Sequence, residues 1–308
     1  MKNLVLLKTG KIKNKNVFLI HAGNGEIQNY VLFSSYISPD ISCWAIRADR
    51  FTNHTPVNRT IFMMAAKYIK IIKEVQPRGP YYIAGWCFGG IRAFEIARQL
   101  ETIGEEVRFL AQFNSHVPIL DDGKRLTMVE NYSLLSLDMS KPKTMTRFTE
   151  TSEKILINKW LQKEGLIWSQ LDRIPYKRLW TTFIQMFGND AKLFSLMKVI
   201  KEDVPLDRAS AIPYYNNISL EKLIYYLAVM RTDANAQAFY VPKSKIKATT
   251  YYFAAAESLV NDRQEWNQYT LKNITFHNIR GNHFSIFHSE DVEDFAKLFN
   301  QELIKHFL

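Results

Sequence analysis

The feature that most constrains this 308-residue chain is the run Tyr81-Tyr82-Ile83-Ala84-Gly85-Trp86-Cys87-Phe88-Gly89-Gly90. Its apolar first half predicts a short buried strand. A helical pattern over 91–100 follows at once and stops near Gly104. Only a sharp turn joins a strand to a helix in so few residues. Side chains two positions either side of the turn's centre would collide, and Gly85 and Gly89 occupy those positions. The turn aims Cys87 out of the sheet and sets the helix N–H groups, with its positive end, beside the sulfur. Both effects favour the thiolate. This strand, Gly-x-Cys-x-Gly turn and helix is the layout of a nucleophile elbow. A merely buried cysteine would explain Cys87 but not its flanks.

Similar units recur along the chain. An apolar run at 17–20 leads into His21-Ala22-Gly23-Asn24-Gly25, a strand feeding a glycine loop. Residues 41–46 predict another strand. Apolar positions 61, 62, 64, 65, 68, 69, 72 and 75 form a helical stripe, ended by Pro77, Gly79 and Pro80. Val107–Phe113, 248–254 and 274–279 predict strands, and 292–307 a closing helix. The alternation predicts an α/β fold with a mostly parallel central sheet and helices on both faces. Between residues 118 and 240 the strand signals vanish. The stretches 154–161, 176–187, 191–200 and 220–230 predict amphipathic, aromatic-rich helices. The expected organisation is a core of residues 1–118 and 236–308, interrupted by a helical lid insertion over 119–235.

Composition narrows the function. Apolar residues make up 47% of the chain, enough for a large core. No stretch reaches the roughly 18 apolar residues of a membrane-spanning helix, and the N-terminal residues carry no signal-peptide pattern. The net charge is +10. The lysines are scattered, their longest groupings near 8–15 and 243–247, so the charge reads as a solvated surface. No nucleic-acid motif accompanies it. Two cysteines do not make a disulfide framework, which predicts a reducing, cytoplasmic setting. Cys43 lies inside an apolar strand and is expected in the core. No His, Cys, Asp and Glu group has ligand spacing, so no metal is expected.

A nucleophile needs a base. His283, in Gly281-Asn282-His283-Phe284-Ser285, follows the 274–279 strand and precedes the last helix, where nucleophile–acid–His order puts the histidine. His288 is the nearest rival and His277, inside the strand, a weaker one. His54, His116 and His306 have no comparable context. An oxyanion hole needs two backbone N–H donors. Phe88, directly after Cys87, is one candidate, and Ala22 in the early glycine loop is the other. His21 itself reads as structural. The third triad member is unusual, because the 107–113 strand runs into Asn114-Ser115 where an acid is expected. Beside a serine nucleophile, Asn would hold the wrong His tautomer, at a cost of about ten-thousandfold. A cysteine relaxes that demand, since a thiol can form an ion pair with His. The alternative acid is Glu257, after the next strand.

Together these residues resemble the thioesterase domains that end nonribosomal peptide synthetases and polyketide synthases, within the α/β-hydrolase superfamily. The likeness lies in Leu4 to Gly10 with Val17 to Gly23, in Gly85-Trp86-Cys87-Phe88-Gly89-Gly90, in Phe113-Asn114-Ser115, in Tyr240-Val241-Pro242-Lys243 with Tyr251-Tyr252-Phe253-Ala254, and in Ile279 to Ser285. It covers roughly residues 1–118 and 236–308. Cys stands where the family usually has Ser, and Asn where it usually has Asp. The resemblance implies a substrate carried as a thioester on the phosphopantetheine arm of an acyl or peptidyl carrier protein. The chain would pass to Cys87 and leave by hydrolysis, cyclisation or transfer to an amine acceptor. No bound cofactor, nucleic acid or membrane partner is implied. A proofreading thioesterase that clears stalled acyl groups is the second reading. A non-catalytic carrier- or ligand-binding protein is the third.

Overall fold

The structure, a computed structural model, describes residues 3–48, 60–117, 215–219, 240–258, 263–288 and 290–307, with positions 222, 226, 229, 233, 236 and 237. Seven strands form one sheet: β1 (Leu4–Lys8), β2 (Asn16–Ile20), β3 (Ser42–Ile46), β4 (Tyr81–Trp86), β5 (Val107–Phe113), β6 (Thr249–Ala255) and β7 (Thr275–Ile279). Their spatial order is β1-β3-β2-β4-β5-β6-β7. Only β1 runs antiparallel, against β3; the other pairings are parallel. Strands β2, β4 and β5 read as near-continuous apolar runs because helices cover both faces.

Four helices do the covering: α1 (Asn29–Ser35), α2 (Ile61–Val75), α3 (Phe88–Thr102) and α4 (Val292–Ile304). One core joins the side chains Phe18, Ile20, Ile83 and Leu110 to α2 and α3. The other joins Val17, Leu19, Ala84 and Ala111 to α1 and α4. Helix α2 is capped by Thr60, whose side chain accepts from the N–H of Met63, and it buries the stripe Ile61, Met64, Ala65, Tyr68, Ile69 and Ile72. Among the described residues of 1–118 and 240–307, the expected strands and helices fall within a few residues of the observed ones. The short α1 was not expected: seven residues with no side-chain cap leave little periodic signal.

The chain steps outward from β2 to β3 and then returns to the other side of β2 as β4. That reversal opens a crevice beyond the carboxyl ends of β2 and β4, the usual ligand site of a parallel sheet. The two strand ends are tied together by Tyr30 of α1. Its hydroxyl donates to the Ile20 carbonyl (2.7 Å) and accepts from the Trp86 N–H (2.9 Å).

Helix α3 starts at Phe88, three residues before the helical pattern of the sequence. Gly89 and Gly90 therefore lie in its first turn. A Cβ on Gly89 would strike the carbonyl oxygens of Ile20 and His21, one on Gly90 would strike Ser115, and one on Gly85 would strike the Gly89 backbone. Bare backbone is what lets helix, β2 and β4 approach so closely.

Most of the expected insertion, including 154–161, 176–187 and 191–200, lies outside the described residues. Of the segment between β5 and β6, positions 222, 226, 229, 233, 236 and 237 are helical, and all but 222 are buried. Tyr226 donates to Glu26 (3.1 Å) and Tyr240 to Glu95 (2.7 Å). Among the described residues no helix is long and apolar enough to cross a membrane.

Replacing Gly85 by Ala should cost about 1–3 kcal/mol, because the clash is with backbone and no side chain can yield. The thermal midpoint should fall clearly; an unchanged midpoint would contradict this packing.

Candidate active site

Every sequence-selected site residue stands at the carboxyl edge of the sheet. Cys87 follows β4, Asn114 follows β5, and His283 lies in the loop after β7. Pairing of Trp86 with Phe113, Phe113 with Phe253, and Ala255 with Ile279 brings these strand ends level. Cys87 has φ 55° and ψ −126° at the cap of α3, a strained conformation that a non-glycine residue seldom adopts. The strain is held by its surroundings. The Cys87 N–H donates to the Phe113 carbonyl (3.0 Å), and its carbonyl accepts from the Gly90 N–H (3.1 Å) and the Ser115 hydroxyl.

The thiol is half-buried. Desolvation pushes its pKa up to about 11; the Phe88 N–H, the Arg92 charge and the Gly23 N–H pull it down, and Asp233 adds to the rise. Two backbone N–H groups thus converge on the sulfur, those of Phe88 and Gly23. The second differs from the expected Ala22 by one residue. The Ala22 carbonyl is engaged by His21 Nδ1 (2.6 Å) and by the Gly25 N–H (3.0 Å), so the loop turns there and presents the next N–H. Gly23 fits because a Cβ would strike the Phe88 ring. His21 Nε2 bonds the Tyr68 hydroxyl (2.6 Å), a structural contact away from the sulfur.

His283 is held by its loop. Asn282 Oδ1 accepts from the N–H groups of Phe284 (2.9 Å) and Ser285 (3.0 Å), and Gly281 takes φ 86°. The Trp86 indole donates to the His283 carbonyl (3.0 Å), with the two rings 5.3 Å apart, so the neighbour of Cys87 anchors the histidine. Burial pushes the His283 pKa down to about 3, and His116 adds to the fall. Burial of both groups therefore opposes the ion pair anticipated from the sequence. Thiol and imidazole are both neutral at pH 7. Among the described residues no hydrogen bond joins them.

Asn114, also at positive φ (47°), meets His283 Nδ1 at 2.6 Å. Its Oδ1 accepts from the Ala255 N–H (3.2 Å), while Nδ2 donates to the Ser258 hydroxyl (2.8 Å) and faces the imidazole. The Ala255 donor assigns the amide's orientation. With Nδ2 donating, His283 Nδ1 is an acceptor and its proton lies on Nε2. Glu257, the alternative, is exposed and reaches the histidine loop through its backbone N–H to the Gly281 carbonyl (3.0 Å). His288 is exposed, its carbonyl accepting from Val292 at the start of α4 (2.9 Å). His277 stacks on Phe253 and pairs with Glu302. Cys43 is buried, its thiol pushed up to about 12 by desolvation. No group of three or more His, Cys, Asp or Glu side chains among the described residues could hold a metal ion.

Sequence reasoning missed Gly23, Ser115 and Ser258. It also missed Arg92, whose guanidinium is wholly buried and 2.5 Å from the Asp233 carboxylate. The Gly23 position carried a signal, since glycine marks close backbone approach. The others depend on contacts between residues far apart in the chain.

A parallel sheet with a strained cysteine at the β4–α3 turn, a level histidine and converging N–H donors defines the α/β-hydrolase class. Within that class the chain belongs to the thioesterase-domain family, whose model matches residues 15–303. It is 23% identical over 293 residues to an atromentin synthetase of Tapinella panuoides, covering 93% of this chain and 27% of that protein. It is 40% identical over 111 residues to the nonribosomal peptide synthetase apvA of Aspergillus terreus, covering 36% and 12% of the two chains. The chain thus spans about a quarter or less of these relatives. Among solved structures, the NocB thioesterase domain from the nocardicin cluster superposes with TM-score 0.58 at 17% identity, over 98% and 99% of the chains. A four-domain nonribosomal peptide synthetase bound to AMP and glycine gives TM-score 0.65 at 20% identity, over 97% of this chain and 20% of that one.

Two outcomes follow. With the thiol at about 11 and the imidazole neutral, Cys87 alkylation by iodoacetamide should rise about tenfold per pH unit from about pH 7 to 10. A rate already flat near neutrality would mean a pre-formed ion pair. Asn114→Asp should move the His283 proton to Nδ1, free Nε2 as an acceptor and speed single-turnover thioester hydrolysis by about tenfold or more. A slower Asp variant would show that the amide's donated hydrogen bond matters.

Proposed function

We propose that this chain is a chain-releasing thioesterase domain in which Cys87 carries the acyl or peptidyl group. The observation that carries the reading is the strained Cys87 with the N–H groups of Phe88 and Gly23 on its sulfur. The family match and the relatives named as synthetases support a substrate that arrives as a carrier-borne phosphopantetheine thioester.

Cys87 Sγ adds to the thioester carbonyl. It attacks as the thiolate, its proton released to solvent; when the C–S bond breaks the pantetheine sulfur leaves as a thiolate and takes up a proton from solvent, and an acyl-Cys forms. Phe88 and Gly23 hold the oxygen anion of the tetrahedral intermediate. The exchange moves an acyl group from one sulfur to another and replaces one thiolate by another, so it is close to thermoneutral and consumes no net proton. That fits a half-buried, neutral His283, whose Nε2–H would donate a hydrogen bond to the departing sulfur. Cys87, His283 and Asn114 thus act as a set, with Glu257 outside it. In the second step a nucleophile attacks the acyl-Cys. Attack by water demands a base, which the Asn114-held tautomer does not provide. An amine, or a nucleophile on the chain itself, needs less help, so release by transfer or cyclisation is favoured over hydrolysis. The segment between β5 and β6 would act as a lid that shapes the acyl pocket and excludes water.

Intact-protein mass spectrometry with an octanoyl N-acetylcysteamine thioester tests this. The protein should gain one octanoyl mass, and Cys87→Ala should not. An adduct that persists in water and decays faster with added amine supports transfer. An adduct on Cys87→Ala, or turnover by that variant, removes Cys87 as nucleophile. His283→Ala should lose more activity than His288→Ala, and equal losses would leave His283 without a catalytic part.

A further inference from the structure

Arg92 lies one turn into α3, where a long side chain leans back toward the helix N-terminus and so toward Cys87. It is fully buried, as is Asp233, the helical residue of the β5–β6 segment that it meets at 2.5 Å. Arg92 Nη1 also donates to the His21 carbonyl (3.3 Å), two residues before Gly23. One guanidinium therefore touches the segment between β5 and β6, the loop that bears an N–H on the sulfur, and the field at the thiol. Burial gives that charge weight, because little water is present to screen it.

We propose that Arg92 and Asp233 form a positioning pair for Cys87: Arg92 fixes the loop that carries the Gly23 N–H and turns its positive charge toward the nucleophile, and Asp233 sets how much of that charge the nucleophile feels. This rests on Cys87 being the nucleophile. Tyr30 from α1 also acts on the thiol, while the His283 ring of the β7–α4 loop lies 5.3 Å from that of Trp86, the residue before Cys87, and is acted on by His116 in turn. Burial holds His283 neutral and Tyr30 protonated, and among the described residues Arg92 and Asp233 are the charges that act on the thiol. Their effects on the thiol are opposite, Arg92 favouring the thiolate and Asp233 opposing it.

The test is made in a Cys43→Ala background, so that alkylation reads Cys87. Asp233→Asn keeps the shape and unmasks Arg92; iodoacetamide alkylation at pH 9 should rise about tenfold, the effect of one pH unit in thiol acidity. Arg92→Met should slow alkylation and slow acylation by the octanoyl thioester about tenfold, since the His21 carbonyl loses its donor. The double variant Arg92→Met/Asp233→Leu replaces the pair by apolar groups and should regain thermal stability without regaining the acylation rate. Folded single variants with wild-type alkylation rates would overturn the proposal. If the single variants do not fold, a double variant that acylates at the wild-type rate overturns it. A wild-type protein that is alkylated yet never acylated would instead count against Cys87 as acyl carrier, while the alkylation rates would still read the pair.

Discussion

The structure depends on one close approach, that of the first turn of α3 to the backbones of β2 and β4. Gly85, Gly89 and Gly90 leave no side chain between these elements. Because the helix sits so low, its cap residue Cys87 is forced to positive φ at the end of β4. The same approach sets the Phe88 N–H beside the sulfur and lets the β2 loop bring that of Gly23 to the other side. Tyr30 then locks β2 to β4 beneath the site with one hydroxyl. Packing, strain and donor geometry are here one constraint seen at three scales.

Above this constraint lies an electrostatic environment unlike that of an ion-paired cysteine enzyme. Desolvation outweighs the two N–H donors at Cys87, so the thiol is held well above its ordinary range. Desolvation also holds His283 neutral, and Asn114 presents an N–H to it where a carboxylate would accept. An exchange between sulfur atoms replaces one thiolate by another and consumes no net proton, so it tolerates such partners. They suit the activation of water poorly. The chemistry proposed for the chain follows from these neutral states more than from the identity of the nucleophile.

Much of this was legible in the residues. The 61–75 helix could be read because its apolar stripe is long and unambiguous. The β4 turn could be read because two glycines flank a cysteine between a strand and a helix. His283 was selected from its place between a strand and the last helix, and the structure sets it against Asn114 with Glu257 exposed to one side. Three things escaped. The short α1 has too few residues to show a period. In the β2 loop it is the Gly23 N–H that reaches the sulfur, next to the expected Ala22, whose carbonyl is engaged by the His21 ring and the Gly25 N–H. The thiolate expected from the helix end is opposed by burial, which no local pattern reports.

The sequence by itself determined the alternation of strands and helices, the place of the turn at Cys87 and the identity of the groups at the strand ends. These follow from local rules: side-chain periodicity, the conformational freedom of glycine, and the reach of a few residues. Tertiary structure alone decided that Asn114 meets His283 with its amide nitrogen, since the Ala255 N–H claims the oxygen. It alone decided that Arg92 and Asp233, 141 positions apart in the chain, share one buried contact. Charge state and hydrogen-bond direction are set by whatever surrounds a group in space, and those neighbours come from every part of the chain.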